Sequence, residues 1–549
     1  MIIAILLAGG LVGLWGSERV VGAGVRGEVL VAEGVARVGG FEATVQLEKD
    51  ALRFELPGGR GHLRAHAEGG GYRGHFIQPR ALVGGAPFAT PVELRPDGPG
   101  RWRGRIEPLE QPFSIYVLIT AQPDGSLRAV LRNPEMNVGH GRPFSLEVHG
   151  VRVRLLDGGR EKATAHFDAH NDTLTLDRDL LDGGDPAVTL TRRGRDDAKG
   201  FWPGASTAYA YRVPTADGDG WNTTSASEEG MDTGLLAALV RDILDTDPSA
   251  SPFPAVQGVL IARHGKLVLD EYFYGYSQDR LHDLRSAGKS FGTTLVGAAI
   301  DRGEPIDLRA PLYSFFPQAS QSAQKRAITV ENALTMSTGL ACDDDDSPGQ
   351  EDRMQSQARD WYRYTLDLPV AHPAGSYAAY CSATINLLGG VLRRATSAWL
   401  TDLFDAEIAR PLGIARYALN LGPNDDLYLA GGLRLRPRDF LKLGQAFLDG
   451  GIWNGKRVVS GRWVQAATSP RAKLNNGSTD GYNWWLREIG GVKTFSAGGN
   501  GGQFVVVAPA LDLAVAFTGG MYGSFVFAHR TADELLMRYV FPAAVAKAR

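Results

Sequence analysis

The chain has 549 residues, of which 44% are hydrophobic and 22% charged, with a formal net charge of −3. That length exceeds one ordinary core and implies two domains, and the proportions exclude a disordered or membrane-embedded chain. Scattered basic residues in a slightly acidic chain give no electrostatic case for a nucleic-acid partner.

The chain opens on MIIAILLAGGLVGLWG, an apolar run of the length of an export-signal core and short for a transmembrane helix. Residues 1–27 are therefore expected to be a leader or anchor. Export is the expected location, with the membrane a partner only if the segment stays uncleaved. The first arginine is Arg19, so the usual basic flank is missing, and a plain apolar first strand or helix is the alternative.

From 28 to 195 short alternating runs recur, such as SIYVLIT (114–120) and KATAHFD (162–168), separated by GG, DG and PDG turns. This pattern predicts one all-β domain, a sandwich or barrel. Within it, HFDAHND alternates His166, Asp168, His170 and Asp172 on one strand face. A solvated face explains these letters as well as a metal site does, and no metal is expected.

Residues 196–230, rich in Gly, Ser, Thr and Asp, read as a connecting segment. From Met231 to residue 549 the pattern becomes α+β. LLAALVRDIL (235–244) predicts an amphipathic helix. VQGVLIARHGKLVLDEYF (256–273) predicts a hairpin turning at His264-Gly265.

LRSAGKSFGTTLVGAA (284–299) admits three motifs. A phosphate-cradling loop requires glycine at position 283, where Asp283 stands, and an apolar strand leading in, where RLHDLR is polar. A G-x-S-x-G elbow would put Ser290 at the apex of a strand–turn–helix, yet the helical pattern already begins near Ser286. S-x-x-K needs a serine opening a helix and a lysine one turn on, sharing its face. Ser286 and Lys289 satisfy this.

Further segments follow in a set order. PAGSYAAYCSATINLLGGVL (373–392) places Tyr380-Cys381-Ser382 in a Y-x-N-like frame. FSAGGNGGQFVVVAPALDLAVAFTGG (495–520) supplies a Gly-rich turn before two strands. ITVENALTMSTGLACDDDD (328–346) and GGLRLRPRDFLKLGQAFLDGGIWNGKRVVSGRWVQ (431–465) complete the series. From about Met231 to Phe541 the chain resembles class C β-lactamase-related serine hydrolases of penicillin-binding-protein-like fold, most closely the esterases and 6-aminohexanoate-dimer hydrolases. The resemblance does not cover the N-terminal β domain.

The resemblance implies an antiparallel sheet with helices and a cofactor-free serine hydrolase acting on a small carboxylic ester or amide. Ser286 would be acylated, and Lys289 with Tyr380 would share the proton transfers. The backbone N–H groups of Ser286 and Gly502 would bind the oxyanion. Ser382, Gly499, Asn500 and Gly501 would line the substrate. In this alignment Ser382 stands for the usual Asn, and Gly499 for the usual strand Lys or His. Losing that cation disfavours β-lactam hydrolysis, since a charge-assisted contact contributes about 1.5–3 kcal/mol. The acidic run at Asp343–Asp346 reads as a solvated loop, or through Asp344 as an attractor of cationic substrates. Cys342 and Cys381 flank the same implied cleft, and in an exported chain they would pair. A D-amino-acid peptidase, penicillin-binding-type enzyme or weak β-lactamase, and a non-catalytic binding protein with a relic site, are the alternatives.

Overall fold

A computed structural model describes residues 10–21, 24–79, 86–137, 142–177, 187–204, 208–319, 322–423 and 425–545. The N-terminal β region divides into two sheets rather than forming one sandwich or barrel. The first is a closed barrel whose strands run in the order Gly13–Val21, Gln111–Ala121, Leu127–Arg132, Pro143–His149, Arg152–Asp157, Arg160–Asp168, Thr173–Leu176 and Val188–Arg192. Period-two alternation fills it: in Arg160–Asp168, Ala163, Ala165 and Phe167 point inward while Lys162 and His166 face solvent.

The strand Gly13–Val21 closes this barrel, with Gly13 opposite Ile119 and Trp15 opposite Arg192. Trp15 is fully buried, packs edge-on to Phe167, and donates its indole N–H to the Leu11 carbonyl. Residues 13–21, which the leader-or-anchor expectation included, thus form a barrel strand in this structure. A short apolar run does not reveal by hydropathy alone whether it is exported, buried in a barrel or embedded in lipid. Residues 1–9, where the rest of that expectation falls, lie outside the described residues.

The second sheet holds the strands from Gly27–Ala32 to Arg101–Ile106 around its own core of Val29, Val31, Phe54, Phe76 and Val92. It does not end at the domain boundary. Phe88–Pro96 pairs with Tyr417–Asn420, which pairs with Leu433–Leu435, which in turn pairs with His282–Asp283.

The C-terminal region is built on a nine-stranded sheet in which Val256–Arg263, the first strand of the expected hairpin, lies beside Leu513–Gly519 near the chain's end. Alternate residues serve different layers. Val259 and Ile261 pack under helix α1 (Thr233–Leu244) and the C-terminal helices, whereas Leu260 and Ala262 face the layer of α2 (Gly288–Asp301), α3 (Ser382–Thr396) and α4 (Pro437–Leu448). Helix α4 carries the R-D-x-x-K-x-G segment as an anchor. A side chain at Gly444 would overlap Val505, so the helix lies directly on the sheet. Its buried charges are paired, Lys442 and Arg436 each 2.7 Å from Asp439 and Arg438 2.8 Å from Asp270. The connecting segment is fastened to this sheet through the Arg212–Glu271 ion pair, 2.6 Å. Among the described residues, no helix is long and apolar enough to cross a membrane.

Candidate active site

The strand His282–Asp283 leads into a 3₁₀ turn, Arg285–Ala287, and the turn runs straight into α2. Arg285 holds a left-handed backbone, φ +49°, unusual for a residue with a Cβ. The turn is pinned on both sides: the Arg285 N–H donates to Asp283 Oδ1 at 3.1 Å, and the Leu284 N–H to the Leu433 carbonyl at 3.0 Å. Ser286 is thereby set at the mouth of α2, and Lys289, one helical turn on, donates from Nζ to Ser286 Oγ at 2.9 Å.

Lys289 is buried (3% exposed). Burial works to lower the pKa of its amine, but the Tyr380 phenol and the Glu351 carboxylate outweigh it, so the amine is held above the ordinary lysine value. Lys289 Nζ lies 4.8 Å from the centre of the Tyr380 ring, which packs in turn against Trp485. Burial raises the Tyr380 phenol, and the opposing pull of Lys289 and Ser286 does not cancel this. Hydroxyl, amine and phenol thus converge from the turn, the helix and the segment before α3.

Two expected substrate contacts are committed elsewhere. Ser382 is fully buried as the first residue of α3, its N–H donating to Asp344 Oδ2 at 2.6 Å and its hydroxyl to Glu351 Oε2 at 3.0 Å. The other oxygen of Asp344 accepts from the Glu351 N–H at 2.8 Å. Asp344 therefore ties two helix starts together and is not among the cleft-lining residues. Burial and the nearby Glu351 raise its carboxyl. Among the acids that line the cleft is Glu351, held by the Tyr428 hydroxyl at 2.6 Å. Sequence reasoning missed it, because a Glu in a polar helix carries no local signature.

The Gly-rich turn is also reassigned. A side chain at Gly499 would overlap the Leu284 carbonyl oxygen and come within 2.9 Å of the Ala287 nitrogen. Gly499 is thus the residue that lets the strand Val492–Gly499 pack on the turn carrying Ser286, and no cation could occupy it. A Cβ at Gly502 would face Met521, Gly519 and Ala528, and Gly502 is not among the cleft-lining residues. Gly501 backs onto the Tyr522 ring. Asn500 is the turn residue that lines the cleft with Ser286, its Oδ1 accepting from the Gly523 N–H at 3.0 Å.

The cleft has a volume of about 780 Å³, within the range of small-molecule sites. It holds the cations that the Gly499 assignment had removed: Arg280, Arg285 and Arg434 all line it. Asp283 lies 3.2 Å from both Arg285 and Arg434. Burial raises its carboxyl, but the two guanidinium groups prevail and hold it below the ordinary value.

Ser290, the elbow alternative, is buried and donates to the Asn483 carbonyl at 2.6 Å. In the HFDAHND stretch, Asp168 Oδ1 accepts from both the His170 and the Asn171 N–H groups of a turn. Among the described residues, no three His, Cys, Asp or Glu side chains converge as metal ligands. Cys342 and Cys381 form a disulfide.

The family described as Beta-lactamase matches residues 240–534. A 6-aminohexanoate-dimer hydrolase of Paenarthrobacter ureafaciens is 27% identical over 249 residues, 41% of this chain and 63% of that relative, so the match spans less than two thirds of the relative's length. Among solved structures, a family VIII carboxylesterase is 18% identical with a TM-score of 0.47, covering 60% of this chain and 99% of that one. A penicillin-binding protein homolog from Caulobacter crescentus is 15% identical with a TM-score of 0.47, covering 60% and 100%.

Proposed function

The chain belongs to the beta-lactamase family, and from that premise we propose that it is a serine hydrolase cleaving carboxylic esters or small amides through an acyl-enzyme on Ser286. The observation that carries this reading is the 2.9 Å contact between Lys289 Nζ and Ser286 Oγ at the start of α2, with the Tyr380 ring beside the amine.

In this mechanism Ser286 Oγ attacks the substrate carbonyl while its proton passes to the Tyr380–Lys289 pair. The same pair returns the proton to the departing alcohol or amine. Water then attacks the acyl-enzyme carbonyl, giving its proton to the pair, and the carboxylic acid leaves as Ser286 recovers its proton. Tyr380 is the preferred base, with Lys289 stabilising the phenolate as it forms. The oxyanion is received by the Ser286 N–H and by a donor of the Gly-rich turn, either the Gly502 N–H that the resemblance implies or Asn500, which lines the cleft. Likeness to a 6-aminohexanoate-dimer hydrolase supports amides within the class.

The Cys342–Cys381 disulfide supports an oxidising location, hence export. A second reading, a peptidase of the penicillin-binding type, is favoured by Arg285 and Arg434 beside the nucleophile, which suit a substrate carboxylate. Intact mass after incubation with a fluorophosphonate tests the main reading: one adduct is expected on the wild type and none on Ser286→Ala. Equal labelling of both would refute it. Reaction with a fluorescent penicillin instead of simple esters would favour the second.

A further inference from the structure

The cleft in front of Ser286 is not enclosed by the catalytic region alone. Its opposite wall is N-terminal: Phe88, Pro112 and Phe113 come from strands of the two β sheets, Ala86 and Pro108 from the segments just before Phe88–Pro96 and Gln111–Ala121, and Met136 from the turn after the barrel strand Leu127–Arg132. The two walls differ in chemistry. The N-terminal one pairs its own charges, Arg26 with Glu110 and Arg105 with Glu107, and commits Glu135 to Arg280, and beside them it presents Ala86, Pro108, Pro112 and Met136 as half-buried apolar surface. The catalytic one presents Ser286, Glu351, Asn500 and the arginines.

Two sets of contacts fix these walls to each other. Strand pairing is continuous from Phe88–Pro96 to His282–Asp283, three residues short of Ser286. The turn carrying Met136 is also latched. Glu135 accepts from Arg280 at 2.9 Å, the Tyr276 hydroxyl donates to the Pro134 carbonyl at 3.2 Å, and Asn137 Nδ2 donates to the Tyr522 carbonyl at 2.7 Å. Arg280, Tyr276 and Tyr522 themselves line the cleft. A domain hung on merely as an appendage needs no such contacts with the residues beside the nucleophile.

We infer that the N-terminal β region forms half of the substrate site and selects esters or amides that carry an extended apolar group beyond the scissile bond. Resting on the serine-hydrolase reading, this inference adds a substrate class and a specificity-determining surface. The apolar group lies along Pro108, Pro112 and Met136, while the carbonyl sits between Ser286 and Asn500. Short substrates leave this wall wet and gain nothing from it.

The test compares rates of Ser286 labelling by two fluorophosphonates that differ only in an ethyl or an octyl chain, in wild type, Met136→Trp and Pro108→Trp. Wild type is expected to prefer the octyl reagent. In each folded variant, as judged by circular dichroism, the octyl-to-ethyl rate ratio is expected to fall about tenfold, the loss of roughly two buried methylenes. Either variant suffices if the other does not fold. A wild-type ratio near one, or a ratio unchanged in the variants, overturns the inference while leaving the hydrolase reading intact. Absence of any Ser286 adduct overturns both.

Discussion

Cys342 and Cys381 are joined by a disulfide that closes 39 residues of chain and fixes the residue after Tyr380 to the residue two before Asp344. Its removal by Cys342→Ala or Cys381→Ala is expected to destabilise the protein by about 3 kcal/mol, mostly by freeing the unfolded chain. Turnover is expected to fall as well, since Tyr380 loses its tether. Thiol titration of the denatured, unreduced protein should find no free thiol; two would remove the basis of this prediction.

Rate should follow the protonation of the Lys289–Tyr380 pair. Both groups are held above their ordinary values, so at neutral pH the pair carries one proton more than its basic form needs. kcat/KM is therefore expected to rise with pH, without a plateau below about pH 10, the ordinary range of these groups. Glu351 raises both. Glu351→Gln should consequently move the rise to lower pH. An unmoved profile would mean that Glu351 only packs against Tyr428 and Ser382.

Gly499 offers a steric test. Alanine there would press a methyl group into the Leu284 carbonyl and push the strand off the turn that carries Ser286. Overpacking of this kind costs about 1–3 kcal/mol. Gly499→Ala is expected to show a lowered melting temperature together with at least a tenfold loss of kcat, the second because the oxyanion donors separate. Unchanged kinetics would place the turn outside the catalytic geometry.

The N-terminal sheet is also fastened electrostatically, which gives a pH dependence of stability. His66 lies 3.6 Å from Asp402 in the helix Leu400–Phe404, and His75 reaches the same carboxylate at 3.1 Å. The His66 imidazole is raised, chiefly by the Asp402 carboxylate beside it. Its contribution is full below about pH 6.5, the unfolded value, and fades as pH rises through the higher folded value. The effect is modest because His66 is 40% exposed. Melting temperatures of wild type and His66→Gln should converge as pH rises from about 6 to about 8; a constant gap would refute the linkage.

Much of the site was legible because it is local. Ser286 and Lys289 are one helical turn apart, and that spacing brings their side chains together wherever the helix lies. Tyr380, the disulfide partners and the hairpin at His264-Gly265 could likewise be placed from motif order or alternation. Glu351 could not, since its position in the cleft depends on hydrogen bonds to Ser382 and Tyr428, 31 and 77 residues away. The separate surroundings of Gly499 and Gly502 were not legible, because a run of glycines looks the same from every side until something packs against it. The apolar start of the chain suffered from the same ambiguity, since hydropathy reports that Trp15 will be buried but not in what.

The sequence by itself determined the periodicities, the serine and lysine one helical turn apart, and the chemistry these residue types can perform, because such properties follow from backbone geometry over a few residues. Only the tertiary structure decided that the β region splits into a barrel and an open sheet, that strand pairing carries the open sheet up to the turn holding Ser286, and that Met136 and Pro108 line one cleft with Ser286. Strand pairing and packing join residues hundreds of positions apart, and no window along the chain contains both partners.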